Sequence, residues 1–142
     1  MKTVDILLVE DNEGDILLTK EVLDESKIIN SIRVLRNGKE AIDFLTETGI
    51  SNKKALPDII LLDINLPLKS GHEVLEEIKN HSGLMHIPVI MLTTSSSEKD
   101  VLSSYKNHAN CYITKPVDVQ DFLNAITSLE QFWLNIVKLP DA

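Results

Sequence analysis

A chain of 142 residues, 43% hydrophobic and 25% charged, fits one globular domain at about 100–200 residues per domain. That composition excludes a disordered, collagenous or long coiled-coil chain. With 14 basic against 22 acidic residues the net charge is −8, which disfavours binding to a nucleic-acid backbone and still allows binding of a divalent cation. The single cysteine, Cys111, cannot form an internal disulfide and fits a reducing compartment. The apolar run Val4–Val9 is too short and too soon followed by acids for a signal segment. No run approaches the roughly 20 residues a membrane span needs. The expectation is a cytoplasmic protein without a membrane partner.

In chain order, Ile6-Leu7-Leu8-Val9 is the first apolar run, and its lack of polar alternation suits a strand buried on both faces. Leu18 and Val22 mark a helix after Gly14. Ile32-Arg33-Val34-Leu35-Arg36 alternates arginine with apolar residues, as an edge strand does. Ala41, Ile42 and Leu45 have helical spacing and follow an Asn37-Gly38 turn. The segment from Thr46 to Leu56 reads as a polar surface loop. Ile59-Ile60-Leu61-Leu62 is a second fully apolar strand, and Val74, Leu75 and Ile78 form a helix after Gly71. Val89-Ile90-Met91-Leu92 is a third such strand. Ser97-Glu98-Lys99-Asp100 has capping-box spacing ahead of a helix carrying Val101, Leu102 and Tyr105. Cys111-Tyr112-Ile113 is a shorter strand. A long last helix over about 118–137 keeps Phe122, Ile126, Leu129, Trp133 and Ile136 on one face. Five β-α repeats predict an α/β fold: a doubly wound five-stranded parallel sheet with five helices, in a single domain spanning 1–142.

The residues that follow each buried run carry the chemistry. They are Glu10 and Asp11 after the first strand, Asp63 after the third, Thr93 after the fourth and Lys115 after the fifth. In an open parallel sheet these positions share the carboxyl edge, where ligands bind. A strand-end Asp alone is often only a helix cap, and a lone lysine is often only surface. Their joint placement after four strands is not explained by capping. Three crowded carboxylates need a counter-charge, which Mg²⁺ supplies through oxygen ligands. Asp11 and Asp63 suit direct ligation, with the backbone carbonyl of Asn65 beside them and Glu10 acting through water. Asp63 is also a candidate nucleophile for phosphoryl transfer, with Lys115 and Thr93 placed to contact the transferred group. The four histidines show no metal-ligand spacing.

These residues resemble the receiver domain of a two-component response regulator. The matching segments are Leu8-Val9-Glu10-Asp11-Asn12, Leu61-Leu62-Asp63-Ile64-Asn65-Leu66-Pro67 with Gly71, Leu92-Thr93-Thr94-Ser95 and Tyr112-Ile113-Thr114-Lys115-Pro116. The resemblance implies the flavodoxin-like receiver fold with strand order 2-1-3-4-5 and a cis Lys115-Pro116 bond. It implies that Asp63 accepts a phosphoryl group from a sensor histidine kinase, that Glu10, Asp11, Asp63 and the Asn65 carbonyl hold Mg²⁺, and that Lys115 pairs with the phosphoryl group. Thr93 and Tyr112 are then the switch residues, and the changed surface is the helix after strand four, strand five and the last helix. A finer resemblance, carried by Val9–Asp15, His108–Tyr112 and Phe132–Pro140, is to single-domain regulators partnered with cyanobacterial-type phytochrome kinases. Such regulators pair through the last helix, so Phe132 and Trp133 are expected at a homodimer surface. With no linker to an output domain in view, the expected output is binding itself. Two alternatives stand beside this: a receiver-like interaction module that takes no phosphate, and an aspartyl-nucleophile phosphatase. The second lacks a general acid, since Asn65 stands two residues after Asp63.

Overall fold

The computed structural model describes residues 3–25, 29–94 and 111–136. Five strands, β1 (Val4–Val9), β2 (Ile29–Leu35), β3 (Ile59–Asp63), β4 (Val89–Thr93) and β5 (Cys111–Thr114), form one parallel sheet in the order β2-β1-β3-β4-β5. The helices are α1 (Glu13–Asp24), α2 (Gly38–Ser51), α3 (Gly71–Lys79) and α4 (Val119–Ile136), with a 3₁₀ turn at Lys53–Ala55. Four α-helices are therefore present among the described residues where five were expected. The remaining one, expected around Val101, Leu102 and Tyr105 with its cap at Ser97–Asp100, lies outside the described residues. No helix among the described residues is long and apolar enough to cross a membrane.

The uninterrupted apolar runs explain the layering. Every residue of β3 and β4 is buried, as strands covered on both faces require. Successive side chains point to opposite faces, so β1 divides its residues between two cores. Ile6 and Leu8 join Ile16 and Leu23 of α1 and Phe122, Ala125 and Ile126 of α4. Leu7 and Val9 join Ala41 and Leu45 of α2 and Val74, Leu75 and Ile78 of α3. Each wholly buried Leu or Ile contributes about 1.5–3 kcal/mol relative to exposure. At the edge, β2 packs Ile32 and Val34 inward while Arg33 lies over the Phe44 ring, 4.6 Å from its centroid.

Two local readings are corrected. Asn37-Gly38 is not a free turn: Asn37 caps α2, its side chain accepting from the Glu40 N–H at 2.8 Å, and Gly38 is the first helical residue. The segment from Thr46 to Leu56 is not one loop, because α2 continues to Ser51 and the 3₁₀ turn follows. The Gly49 face lies within van der Waals reach of Leu84 and Leu56, so the helix packs on although its own apolar spacing has faded. The last helix matches expectation, with Phe122 and Ile126 in the core. The side chains of Phe132 and Trp133 lie outside what the structure describes.

Candidate functional site

Each strand delivers its residue by a specific backbone device. Beyond β1, the Glu10 N–H donates to the Leu35 carbonyl at 3.0 Å, which keeps the chain in the sheet for one more residue. Glu10 is thereby fully buried, and its Oε2 accepts from the Asn12 N–H at 3.2 Å. Asp11 is exposed beside it. Asn12 then caps α1.

Asp63 ends β3 and is 3% exposed. After it, the Ile64 N–H donates to the Leu92 carbonyl at 3.1 Å, and the chain turns so tightly that the Gly71 N–H reaches the Ile64 carbonyl at 2.8 Å. A Cβ on Gly71 would lie 2.3 Å from the Asp63 carbonyl oxygen, so only glycine fits behind Asp63. Ser70 and Glu73 form a capping box at the start of α3, which the sequence reading did not pick out. Asn65 is exposed in the intervening turn.

Thr93 ends β4 and is buried. It pairs with Thr114 in the sheet register, and its carbonyl accepts from the Lys115 N–H at 2.6 Å. The Lys115-Pro116 bond is cis, as the resemblance implied. Tyr112, half-buried on β5, packs against the core beneath α2 and α3.

These devices bring the predicted residues together. Carboxylate oxygens of Glu10, Asp11 and Asp63 lie within 4.8 Å of one another. The Lys115 ammonium, with its side chain only 6% exposed, hydrogen-bonds Glu10 Oε1 at 2.8 Å and Asp15 Oδ2 at 2.8 Å and lies 3.2 Å from Asp63 Oδ1. Asp63 Oδ1 is buried yet receives no hydrogen bond. Asp15, in the first turn of α1, is the residue the strand-end pattern missed. An acid there reads as a favourable partner for the helix dipole, and only the folded sheet shows that Lys115 sits over it.

The electrostatics follow from this crowding. Burial pushes the Asp63 carboxyl up, the charge of Glu10 pushes it further, and Lys115 offsets part of both, leaving it at about 6. Burial alone would depress the Lys115 ammonium. Hydrogen bonds to Asp15 and Glu10 and the charges of Asp63 and Glu10 outweigh that and hold it above the usual lysine range. The site is thus short of positive charge at Asp63, and its donor set is all oxygen, the chemistry of a hard divalent cation. Glu10, Asp11 and Asp63 fit such an ion. Cys111, at the start of β5, is no part of this: burial pushes its thiol up to about 11, away from reactivity.

Comparison with known proteins points the same way. The family model for the response regulator receiver domain matches residues 6–127. The response regulator Rcp1 of Synechocystis sp. is 47% identical over 137 residues, covering 96% of this chain and 93% of Rcp1. The crystal structure of the Mn²⁺-bound form of Rcp1 aligns with a TM-score of 0.73 at 45% identity, covering 94% of this chain and 96% of that one. The crystal structure of the phosphorylated cyanobacterial phytochrome response regulator RcpA aligns with a TM-score of 0.74 at 43% identity, covering 93% and 94%.

Proposed function

The chain belongs to the response regulator receiver domain family, and on that premise we propose that Asp63 is its phosphoacceptor, taking a phosphoryl group from a sensor histidine kinase. The observation that carries this is Asp63 itself: buried, raised to about 6, and holding an oxygen without a hydrogen bond 3.2 Å from a lysine ammonium. A buried carboxylate left so is costly and is the pattern of a group kept for chemistry.

In this reading a carboxylate oxygen of Asp63 attacks phosphorus and the bond to the donor's leaving group breaks. Lys115 stays protonated and stabilises charge on the phosphoryl oxygens. Thr93 donates its hydroxyl to the new group, and Tyr112 follows on β5. Asp11, Asp63 and the Asn65 carbonyl would hold a divalent cation, Mg²⁺ in our reading, with Glu10 reaching it through water, and the ion would supply further charge stabilisation. The Mn²⁺-bound form of Rcp1 supports a divalent cation in this setting.

Phosphorylation adds negative charge and acceptor oxygens, so contacts made only in one state shift the population toward it. The surface that changes in this reading is the segment after β4, β5 and α4, with residues 1–142 as one receiver domain working in the cytoplasm. A phytochrome-type kinase is the favoured donor, on the strength of the phytochrome regulator among its relatives. A homodimer through α4, with Phe132 and Trp133, is the favoured output.

Intact mass after incubation with acetyl phosphate tests the core of this. A gain of one phosphoryl group is expected with Mg²⁺, none with chelator, and none in Asp63→Asn. Uptake by Asp63→Asn would place the acceptor elsewhere. Sedimentation of the same samples reads the dimer, and transfer from a phytochrome-type kinase reads the donor.

A further inference from the structure

Lys115 has three ammonium hydrogens and three carboxylate neighbours. Two of them, Glu10 Oε1 and Asp15 Oδ2, take hydrogen bonds at 2.8 Å each, and the third, Asp63 Oδ1, lies at 3.2 Å without one. The two anchors have different obligations. Glu10 belongs to the carboxylate cluster with Asp11 and Asp63, so a cation there competes with Lys115 for it. Its other oxygen is already engaged by the Asn12 N–H. Asp15 stands outside that cluster. Its backbone is fixed independently, its N–H donating to the capping oxygen of Asn12 at 2.9 Å, and its side chain is 29% exposed, so little is spent in desolvating it.

We propose that Asp15 is a positioning residue for phosphoryl transfer: its carboxylate holds the Lys115 ammonium beside Asp63 and keeps it there when Glu10 turns toward the cation. The inference rests on the reading of Asp63 as phosphoacceptor. With one hydrogen of Lys115 held by Asp15, another is left for the oxygen that develops charge even when Glu10 has turned away. Nothing is transferred to Asp15. In the step it assists, an Asp63 oxygen bonds to phosphorus, the phosphorus–oxygen bond of acetyl phosphate breaks, acetate leaves with the electron pair, and the lysine keeps its proton.

Asp15 has a bland role as well, as an acid in the first turn of a helix, and the test must separate the two. Initial rates of uptake from acetyl phosphate with Mg²⁺ are measured for wild type, Asp15→Ala and Asp15→Asn, each also in a Lys115→Met background. Asp15→Ala is expected to slow uptake about ten-fold, the scale of losing one positioning contact. Asp15→Asn, whose amide oxygen accepts the same hydrogen bond, is expected to recover to within about three-fold of wild type. With Lys115 absent, Asp15→Ala is expected to change nothing further. An equal slowing with and without Lys115, or none in either background, overturns the proposal. A second readout needs no phosphoryl transfer: trace labelling with acetic anhydride, read by peptide mass, reports how firmly Lys115 is held. Labelling of Lys115 is expected to rise several-fold in Asp15→Ala, and unchanged labelling overturns the proposal even where wild type takes up phosphate. No uptake by wild type, with labelling changed as expected, overturns the phosphoacceptor reading and with it the catalytic half of this one.

Discussion

At the amino edge of the sheet, Asp5 and Asp58 are answered by donors: the Asp5 N–H donates to Asp58 Oδ2 at 2.8 Å, the Asp58 N–H to the Asp5 carbonyl at 2.8 Å, and Ser31 Oγ to Asp5 Oδ1 at 2.6 Å. At the carboxyl edge Asp63 is more deeply buried, shares its space with Glu10 and Asp11, and keeps one oxygen without a hydrogen bond. The same residue type therefore serves two ends. Where donors are supplied the carboxylate fastens strands, and where the nearest donor is only an ion-paired ammonium it is the group we propose for chemistry. The number of acids does not mark a site; the mismatch between burial and hydrogen bonding does.

The largest expected effect tests the buried ammonium of Lys115 at the carboxyl edge. Lys115→Met removes the partner of buried Glu10 and Asp63. Breaking a buried pair from one side costs about 3–5 kcal/mol, so urea unfolding in chelator should show a loss of that order. Saturating Mg²⁺ should restore most of it, since a cation in the same cluster replaces the missing charge. A loss below about 1 kcal/mol, the value of an exposed pair, would break the contrast between the two edges.

Asp63→Asn sharpens the contrast from the other side. Burial and Glu10 raise the Asp63 carboxyl more than Lys115 lowers it, so its charge opposes folding in the metal-free protein. Removing that charge is expected to stabilise by on the order of 2 kcal/mol at neutral pH, following the energy of a pKa shift of this size. Mg²⁺ should stabilise wild type more than the variant, so the gap should narrow on titration. The amino edge gives the control. Asp58→Ala should cost about 1 kcal/mol, the net worth of a hydrogen bond and of leaving its donor unmet, and the loss should be the same with Mg²⁺ and with chelator. A Mg²⁺-dependent loss there would mean that the two edges are electrostatically coupled.

Much of this was readable from the chain because unbroken apolar runs have few alternatives. Ile6–Val9, Ile59–Leu62 and Val89–Leu92 all became buried strands, and the residue after each run had to fall at one edge. The misreadings share a cause: a residue type with two local uses. Asn37-Gly38 suits both a turn and a helix start, and the Glu40 N–H decides for the cap. The polar stretch from Thr46 lost its helical spacing, yet Thr46 Oγ1 and Ser51 Oγ donate to the Ile42 and Glu47 carbonyls within the helix. Asp15 was hidden for a different reason. Its partner Lys115 lies 100 residues away, and no spacing rule joins a first-turn acid to a lysine beyond the fifth strand.

The smallest expected effect concerns strain at the same edge. Leu68, in the turn between Asp63 and α3, has φ 69° and is 74% exposed. A left-handed conformation is unfavourable for leucine, and so exposed a side chain gains little from burial in return. Among the described residues no other non-glycine residue has positive φ, so the strain found there sits in the turn that Asp63 opens. Asn tolerates this conformation, and Leu68→Asn should raise stability by about 0.5–1 kcal/mol, or roughly 2–4 °C in Tm for 1 kcal/mol in a chain of this size. Phosphoryl uptake measured alongside gives the gain its meaning. If the turn's conformation is merely tolerated, uptake stays at the wild-type rate. If uptake falls while stability rises, leucine at this position contributes to the site itself, and the strain belongs with the Asp63 oxygen that lacks a hydrogen bond as part of how the carboxyl edge is kept for chemistry.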